Sequence, residues 1–141
     1  MTTPEVPYTT AELHQQHRAL VREIPAWLVA NDPNNPSRRR VAVREIRRIT
    51  QEGYVADDLD DDVAWVLGQD LGLRLPIVAH RSEDARRTLI ELAAAVASVG
   101  SGVSASDAQF IELLGIGLEL DPDEVAGIVM SAVHDEALRA A

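Results

Sequence analysis

Apolar residues recur along most of the chain at intervals of three and four, the spacing of one face of an α-helix. The first predicted helix shows this pattern at Leu13, Leu20, Val21, Ile24 and Leu28. Pro25 lies inside that helix and predicts a kink or a break before residues 26–30. No stretch alternates apolar and polar residues over the length of a strand. The pattern therefore predicts an all-α, compact helical domain of five to seven helices with no sheet.

Capping residues mark where the predicted helices begin. A polar cap followed by a first-position proline opens two of them, at Asn35-Pro36 and Asp121-Pro122. One follows the acidic run Asp57–Asp62, because carboxylates are favoured in the first turn of a helix. The others begin with hydroxyl caps at Thr9 or Thr10, at Ser82, and at Ser104 or Ser106.

Two glycines are predicted to end helices, since glycine enters the left-handed conformation without steric cost. Gly53 would end the second helix after Glu52, and Gly100 would end the fourth after Val99. The predicted core consists of Ile46, Ile49, Val66, Leu67, Leu89, Leu92, Val96, Phe110, Leu114 and Val125. Residues 1–8, which carry two prolines, are predicted to form a flexible arm, and residues 9–141 a single domain.

Composition narrows the class of protein. The chain has 141 residues, which fits one domain, and it has no cysteine, which excludes disulfides, thiol catalysis and thiolate metal sites. A cysteine-free chain fits the reducing cytosol. No apolar run approaches the ~20 residues that a membrane helix needs, so we expect a cytoplasmic protein with no membrane insertion.

Charge narrows the class of partner. With 23 acidic and 13 basic side chains, the chain has a net charge of −10, which repels the phosphate backbone of nucleic acids. We therefore expect a protein partner and not a nucleic acid. Six arginines fall close together at Arg38, Arg39, Arg40, Arg44, Arg47 and Arg48. Arg39, Arg40 and Arg44 are the candidate residues for contacting an acidic partner. The alternative is a solvated helix face that neutralises the acidic run after it, and a homo-oligomer also stays open.

A shift of 47 residues aligns 35–73 with 82–120 without a gap. Gly53 then meets Gly100, Asp60 meets Asp107, and Leu67-Gly68 meets Leu114-Gly115. The alignment predicts two related helical hairpins that pack about a pseudo-twofold axis.

The second half resembles the tellurite-resistance TerB-like family. The resemblance is carried by Arg86–Leu92 through Val96, then Gly102-Val103-Ser104, Asp107, Phe110, Leu113-Leu114, and Leu118–Leu120 before Asp121. It implies an all-α fold of two related halves and a role in stress response, phage-related defence or membrane-linked complexes. It also implies acidic residues that bind metal, although Ser101 stands before Gly102 where the family usually has aspartate.

The acidic run offers candidate metal ligands. Asp57, Asp58 and Asp61 supply the hard oxygen atoms that Ca²⁺ or Mg²⁺ requires. The run lacks the spacing of an EF-hand loop, and the alternative is a solvated start of a helix.

Histidines offer a second set of candidate ligands. His14 and His17 share a face of the first predicted helix, and His134-Asp135 is a doublet found in metal-dependent phosphohydrolases. No phosphate loop is present, and the serines have no base beside them in the sequence. The sequence therefore favours a non-catalytic TerB-like interaction or adaptor module. One alternative is a metal-dependent hydrolase using His80, His134, Asp135 and further aspartates. The other is a phage-type assembly chaperone or immunity protein whose acidic surface masks a basic partner.

Overall fold

The computed structural model describes residues 7–100 and 102–140, and every regular element in these ranges is helical. The seven α-helices are α1 (Thr10–Asn31), α2 (Pro36–Thr50), α3 (Ala56–Val66), α4 (Leu75–Val78), α5 (Glu83–Ala97), α6 (Ala105–Gly117) and α7 (Pro122–Ala140). A single 3-10 turn, Leu71–Leu73, precedes α4. The all-α prediction of five to seven helices is confirmed. Residues 1–6 of the predicted arm lie outside the described residues.

Local capping chemistry sets the beginnings of α1, α2, α5, α6 and α7, as the sequence predicts. α3 instead begins at Ala56, so the acidic run Asp57–Asp62 lies inside it and does not precede it, and α4 is a helix that the sequence pattern did not predict. Thr9 and Glu12 form a reciprocal capping box at the start of α1. The side chains that accept a backbone N–H at the other predicted starts are Asn35, Ser82, Ser104 and Asp121. None of the helices in the described part of the chain is long and apolar enough to cross a membrane.

The predicted break at Pro25 and two predicted helix ends are wrong, while the alternative of a kink at Pro25 stays a prediction. α1 runs without a break through Pro25, which is buried, so surrounding packing offsets the hydrogen bond that proline cannot make. α2 ends at Thr50 because Gln51, with φ of 57°, adopts the left-handed conformation and donates to the Arg47 carbonyl. α5 ends at Ala97, before Gly100, although Gly100 does have a positive φ of 92°.

α1 and α5 form the centre of the fold. α1 packs against α2, α3, α4 and α5, while α5 also packs against α2, α6 and α7. Of the predicted core, the buried residues are Ile46, Val66, Leu89, Leu92, Val96, Leu114 and Val125. Ile49 and Phe110 pack partly buried against them. Leu67 is 66% exposed and was wrongly placed in the core, because α3 ends one residue before it.

The proposed repeat agrees with the structure in its first helices only. α2 and α5 each have 15 residues, and their caps, Asn35 and Ser82, are in register under the shift of 47. α6 begins two residues later than α3 predicts, and Leu67 is exposed where Leu114 is buried. The duplication stays a prediction.

Candidate functional site

A groove of about 700 Å³ lies between α2 and α3. Its nine lining residues are Pro36, Arg39, Arg40, Val43, Arg44, Arg47, Arg48, Ala56 and Leu59. Five of them are arginines and the other four are apolar. We call it the arginine groove. It combines cationic side chains with an apolar surface, and it contains all three arginines that the sequence marks as partner-binding candidates.

Helical periodicity puts these arginines on one side of α2. Arg40, Arg44 and Arg47 follow one another at intervals of four and three, so they share a face. The opposite face carries Ala42 and Ile46, both fully buried in the core. Burial of that apolar face therefore orients the helix and holds the arginines toward the groove.

Few carboxylates neutralise the arginine groove. Arg39 forms an ion pair with Asp60. Glu45 accepts from Arg44 at 3.3 Å and from Arg48 at 2.8 Å. Arg40 donates to Ser37 Oγ at 3.0 Å, and the Arg47 guanidinium has no hydrogen-bond or ion-pair partner in residues 7–100 and 102–140. Five guanidinium groups thus share two carboxylates, and the groove keeps a local positive charge.

The acidic run is held mainly by other residues. Asp62 accepts from Arg22 at 3.0 Å and from the Tyr54 hydroxyl at 2.6 Å, and Asp58 accepts from the Val55 N–H at 2.9 Å. Burial, together with the hydrogen bond to Asp62, raises the pKa of Tyr54 above its ordinary value, so the hydroxyl stays a donor. Within the described chain, Asp60 is the only member of the run that pairs with the arginine groove. The alternative, in which these arginines form a solvated helix face that neutralises the acidic run, therefore accounts for Arg39 alone.

The three candidate metal ligands do not converge. Asp58 is engaged in capping α3, while Asp57 and Asp61 are exposed on its surface. Across the described ranges, no three His, Cys, Asp or Glu side chains lie together in an arrangement that could hold a metal ion. The geometry supports the alternative of a solvated, dipole-favoured start of α3, and Ca²⁺ or Mg²⁺ binding stays a prediction without structural support.

The histidines are also dispersed. His17 is buried, with Nε2 2.7 Å from the Ala85 carbonyl oxygen, and burial lowers its pKa. His14 Nδ1 lies 3.3 Å from Nη1 of Arg81. The His80 ring packs near Tyr8, with ring centroids 5.7 Å apart, and His134 is exposed on α7. The cluster that a metal-dependent hydrolase needs is not found in the part of the chain described here.

Sequence reasoning missed that Arg38 differs from the other arginines of its patch. Its side chain is only 3% exposed and pairs with Asp107. Arg38, Ala42 and Ile46 recur at intervals of four, so helical spacing places Arg38 on the buried face of α2. That spacing is a signal that could have separated it from its neighbours.

Comparisons of this chain with protein-family models, with curated proteins and with solved structures found no match.

Proposed function

We propose that this protein is a non-catalytic, TerB-like helical adaptor that docks an acidic segment of a protein partner in the arginine groove. One observation carries the proposal: five arginines with two carboxylate partners surround an apolar surface on a chain whose net charge is −10. A cationic groove on an acidic protein is a local exception to its overall charge. Electrostatic complementarity of this kind steers encounter and selects partners.

The composition of the arginine groove indicates the chemistry of its ligand. All 13 basic residues of the chain are arginines, whose planar guanidinium groups can bind a carboxylate through two parallel hydrogen bonds. Pro36, Val43 and Ala56 add accessible apolar surface between the cationic groups, above the fully buried Leu59. The groove therefore suits a segment that presents glutamate or aspartate together with one or two apolar side chains. The negative charge elsewhere on the chain disfavours nucleic acid at the same site.

The resemblance of the second half to TerB-like proteins supports an adaptor in a stress-response or defence system. The arginine groove is built from α2 and α3, whereas the resemblance is carried by α5 and α6. A partner bound at α2 and α3 would leave α6 and α7 accessible to a second protein. Two separate surfaces are what an adaptor requires.

A peptide series tests the proposal. Fluorescein-labelled peptides of about 12 residues, or about three helical turns, would be titrated and followed by fluorescence anisotropy. The first peptide alternates glutamate-rich stretches with leucine. The second has glutamine in place of every glutamate, and the third has lysine in place of every glutamate. We expect only the glutamate peptide to bind, and binding to weaken as NaCl rises from about 50 mM to about 500 mM.

Matched arginine variants locate the site. Arg40→Gln and Arg44→Gln should each weaken binding of the glutamate peptide by about tenfold, because each loses a charge-assisted hydrogen bond. Arg18→Gln, at a comparably exposed arginine on α1, should leave the affinity unchanged. Preferential binding of the lysine peptide would favour the chaperone or immunity alternative. Stronger binding of an oligonucleotide, or equal effects of the three variants, would also overturn the proposal.

A further inference from the structure

The arginine groove follows α2 for most of the length of that helix. Pro36 and Arg48 both line it, and they lie about 18 Å apart along the helix axis at 1.5 Å per residue. Between them, Arg40, Arg44 and Arg47 are exposed at intervals of four and three. Successive turns of α2 therefore each present a guanidinium group to a partner that lies along the helix.

The packing of α3 shows how an acidic helix lies against α2. Five of the 11 residues of α3 are aspartates. Leu59 is fully buried, and the next residue, Asp60, forms an ion pair with Arg39 of α2. An inward apolar side chain with a carboxylate beside it thus joins one acidic helix to the first arginine of the groove. The other four arginines pair with no residue of α3 in the described ranges, so they stay open to a second segment with the same chemistry.

The spacing of the arginines fits a helical ligand better than an extended one. Arg40 and Arg47 lie about 10.5 Å apart along the axis of α2. A helix lying along α2 has the same rise, so carboxylates spaced at intervals of three and four span the same distance and share one face with the apolar residues beside them. An extended segment spans about 13 Å between the first and third of its alternate residues, and it sends the side chains between them to the opposite side.

We propose that the acidic partner segment docks as an amphipathic α-helix of about three turns that lies along α2. Its carboxylates face Arg40, Arg44 and Arg47, and an apolar side chain beside them contacts Val43, which lines the groove. Binding of an amphipathic helix in a groove uses residues at positions i, i+3, i+4 and i+7 in this way. The inference rests on the proposed function of the arginine groove, and it specifies the conformation and the residue spacing of the partner.

Three peptides of equal charge test the conformation. Each has about 16 residues in an alanine background, because shorter helices are marginal in water. The first has glutamates at i, i+3, i+4 and i+7 with leucines beside them, and the second has the same residues with the glutamates at alternate positions. The third replaces a central alanine of the first by proline, which breaks the helix. By fluorescence anisotropy, we expect the first peptide to bind the wild-type chain at least about tenfold more tightly than either of the others.

The conformation of the bound peptide can be measured directly by NMR. With the first peptide labelled with ¹³C, its Cα chemical shifts should move to helical values over about three turns when the unlabelled protein is in excess. Shifts that stay at random-coil values, or that move to extended values, would contradict a helical ligand.

Double-mutant cycles test the alignment of the peptide along α2. Each cycle pairs one glutamate-to-glutamine change in the first peptide with Arg40→Gln, Arg44→Gln or Arg47→Gln in the protein. Each arginine should couple to a different part of the peptide, in the order in which the three arginines follow one another along α2. Arg18→Gln, on α1 outside the groove, should couple to no glutamate.

The outcomes separate this inference from the proposed function. Equal affinity for the first two peptides, with Arg44→Gln weakening both, would keep the arginine groove as a site for acidic segments and overturn the helical partner. Failure of every glutamate peptide to bind would overturn both proposals.

Discussion

Arg38 and Asp107 form a buried ion pair, with 2.8 Å between Nη2 and Oδ2, that joins the first turn of α2 to the first turn of α6. Arg38 also donates to the carbonyl oxygens of Leu28 at 3.0 Å and Ala97 at 3.1 Å, which belong to the last turns of α1 and α5. Asn31 donates to Asp107 at 3.0 Å. One guanidinium group thus satisfies otherwise free carbonyls of two helices while it links two others.

Removing one partner of this pair should destabilise the fold strongly. Arg38→Met leaves the Asp107 carboxylate buried without its cation, which costs about 3–5 kcal/mol in comparable pairs. Urea unfolding measures the loss. Arg38→Met combined with Asp107→Leu should lose less than the sum of the single variants, because no uncompensated charge remains. Additive losses would mean that the two residues are not energetically coupled.

The same pair makes stability depend on acidic pH. Burial alone would raise the pKa of Asp107, but hydrogen bonds from Arg38 and Asn31 and the charge of Arg38 outweigh it, so the pKa lies below its ordinary value. The contribution is complete above the ordinary carboxyl pKa and is lost as the pH falls through the lowered one. Between about pH 5 and about pH 2, Asp107→Asn should show a shallower fall in unfolding free energy than wild type. Parallel curves would contradict this.

His17 should govern stability in a second pH range. Burial lowers its pKa from 6.5, opposed by the hydrogen bond to the Ala85 carbonyl and reinforced by the charges of Arg81 and His14. The contribution of neutral His17 to the free energy of unfolding is therefore fully present above about pH 6.5 and is lost as the pH falls through the lowered pKa. The reason is that His17 binds a proton more tightly in the unfolded chain than in the folded one. His17→Gln should flatten the change in melting temperature between about pH 7 and about pH 5. His134→Gln, at an exposed position, is the control and should retain the wild-type slope.

Replacement by alanine should destabilise the fold at Gly115 and stabilise it at Gly127. A Cβ at Gly115 would contact Val125, so Gly115→Ala should cost about 1–3 kcal/mol through overpacking between α6 and α7. Gly127 has no atom within 4 Å of the equivalent position. Gly127→Ala should therefore stabilise the helix by about 0.5–1 kcal/mol. Thermal unfolding of dilute samples measures the change in melting temperature of each variant. Similar changes in both variants would show that the close approach of α6 and α7 at Gly115 does not require a glycine.

The starts of α1, α2, α5, α6 and α7 were predictable because each depends on residues within one turn. Thr9, Asn35 and Ser82 lie three residues from the N–H groups that they accept, so the sequence contains the whole interaction. The ends were less predictable. Gln51 adopts a left-handed conformation that favours glycine, and its N–H bonds to the Arg47 carbonyl at the end of α2. Pro25 stays inside α1, where it is buried, because tertiary packing overrides its local preference.

The arginines of the candidate site were visible in the sequence, but their electrostatic state was not. Asp60 neutralises Arg39 across the contact between α2 and α3, a pairing that depends on how the two helices pack. Arg38 finds its partner 69 residues away, at the start of a helix in the other half of the chain. No local pattern predicts a partner at that separation, although the four-residue spacing of Arg38, Ala42 and Ile46 does mark Arg38 as a residue of the buried face.

A charge exchange between the arginine groove and its ligand tests the central proposal most directly. The Arg40→Glu/Arg44→Glu variant would be titrated by fluorescence anisotropy with the glutamate and lysine peptides, beside wild type. We expect wild type to bind only the glutamate peptide, and the variant to lose it and bind the lysine peptide instead, because the attraction depends on opposite charges within the groove. Circular dichroism of the variant should match wild type, since both side chains are exposed. Equal affinity of wild type and variant for the glutamate peptide would contradict the assignment of the arginine groove as the docking site.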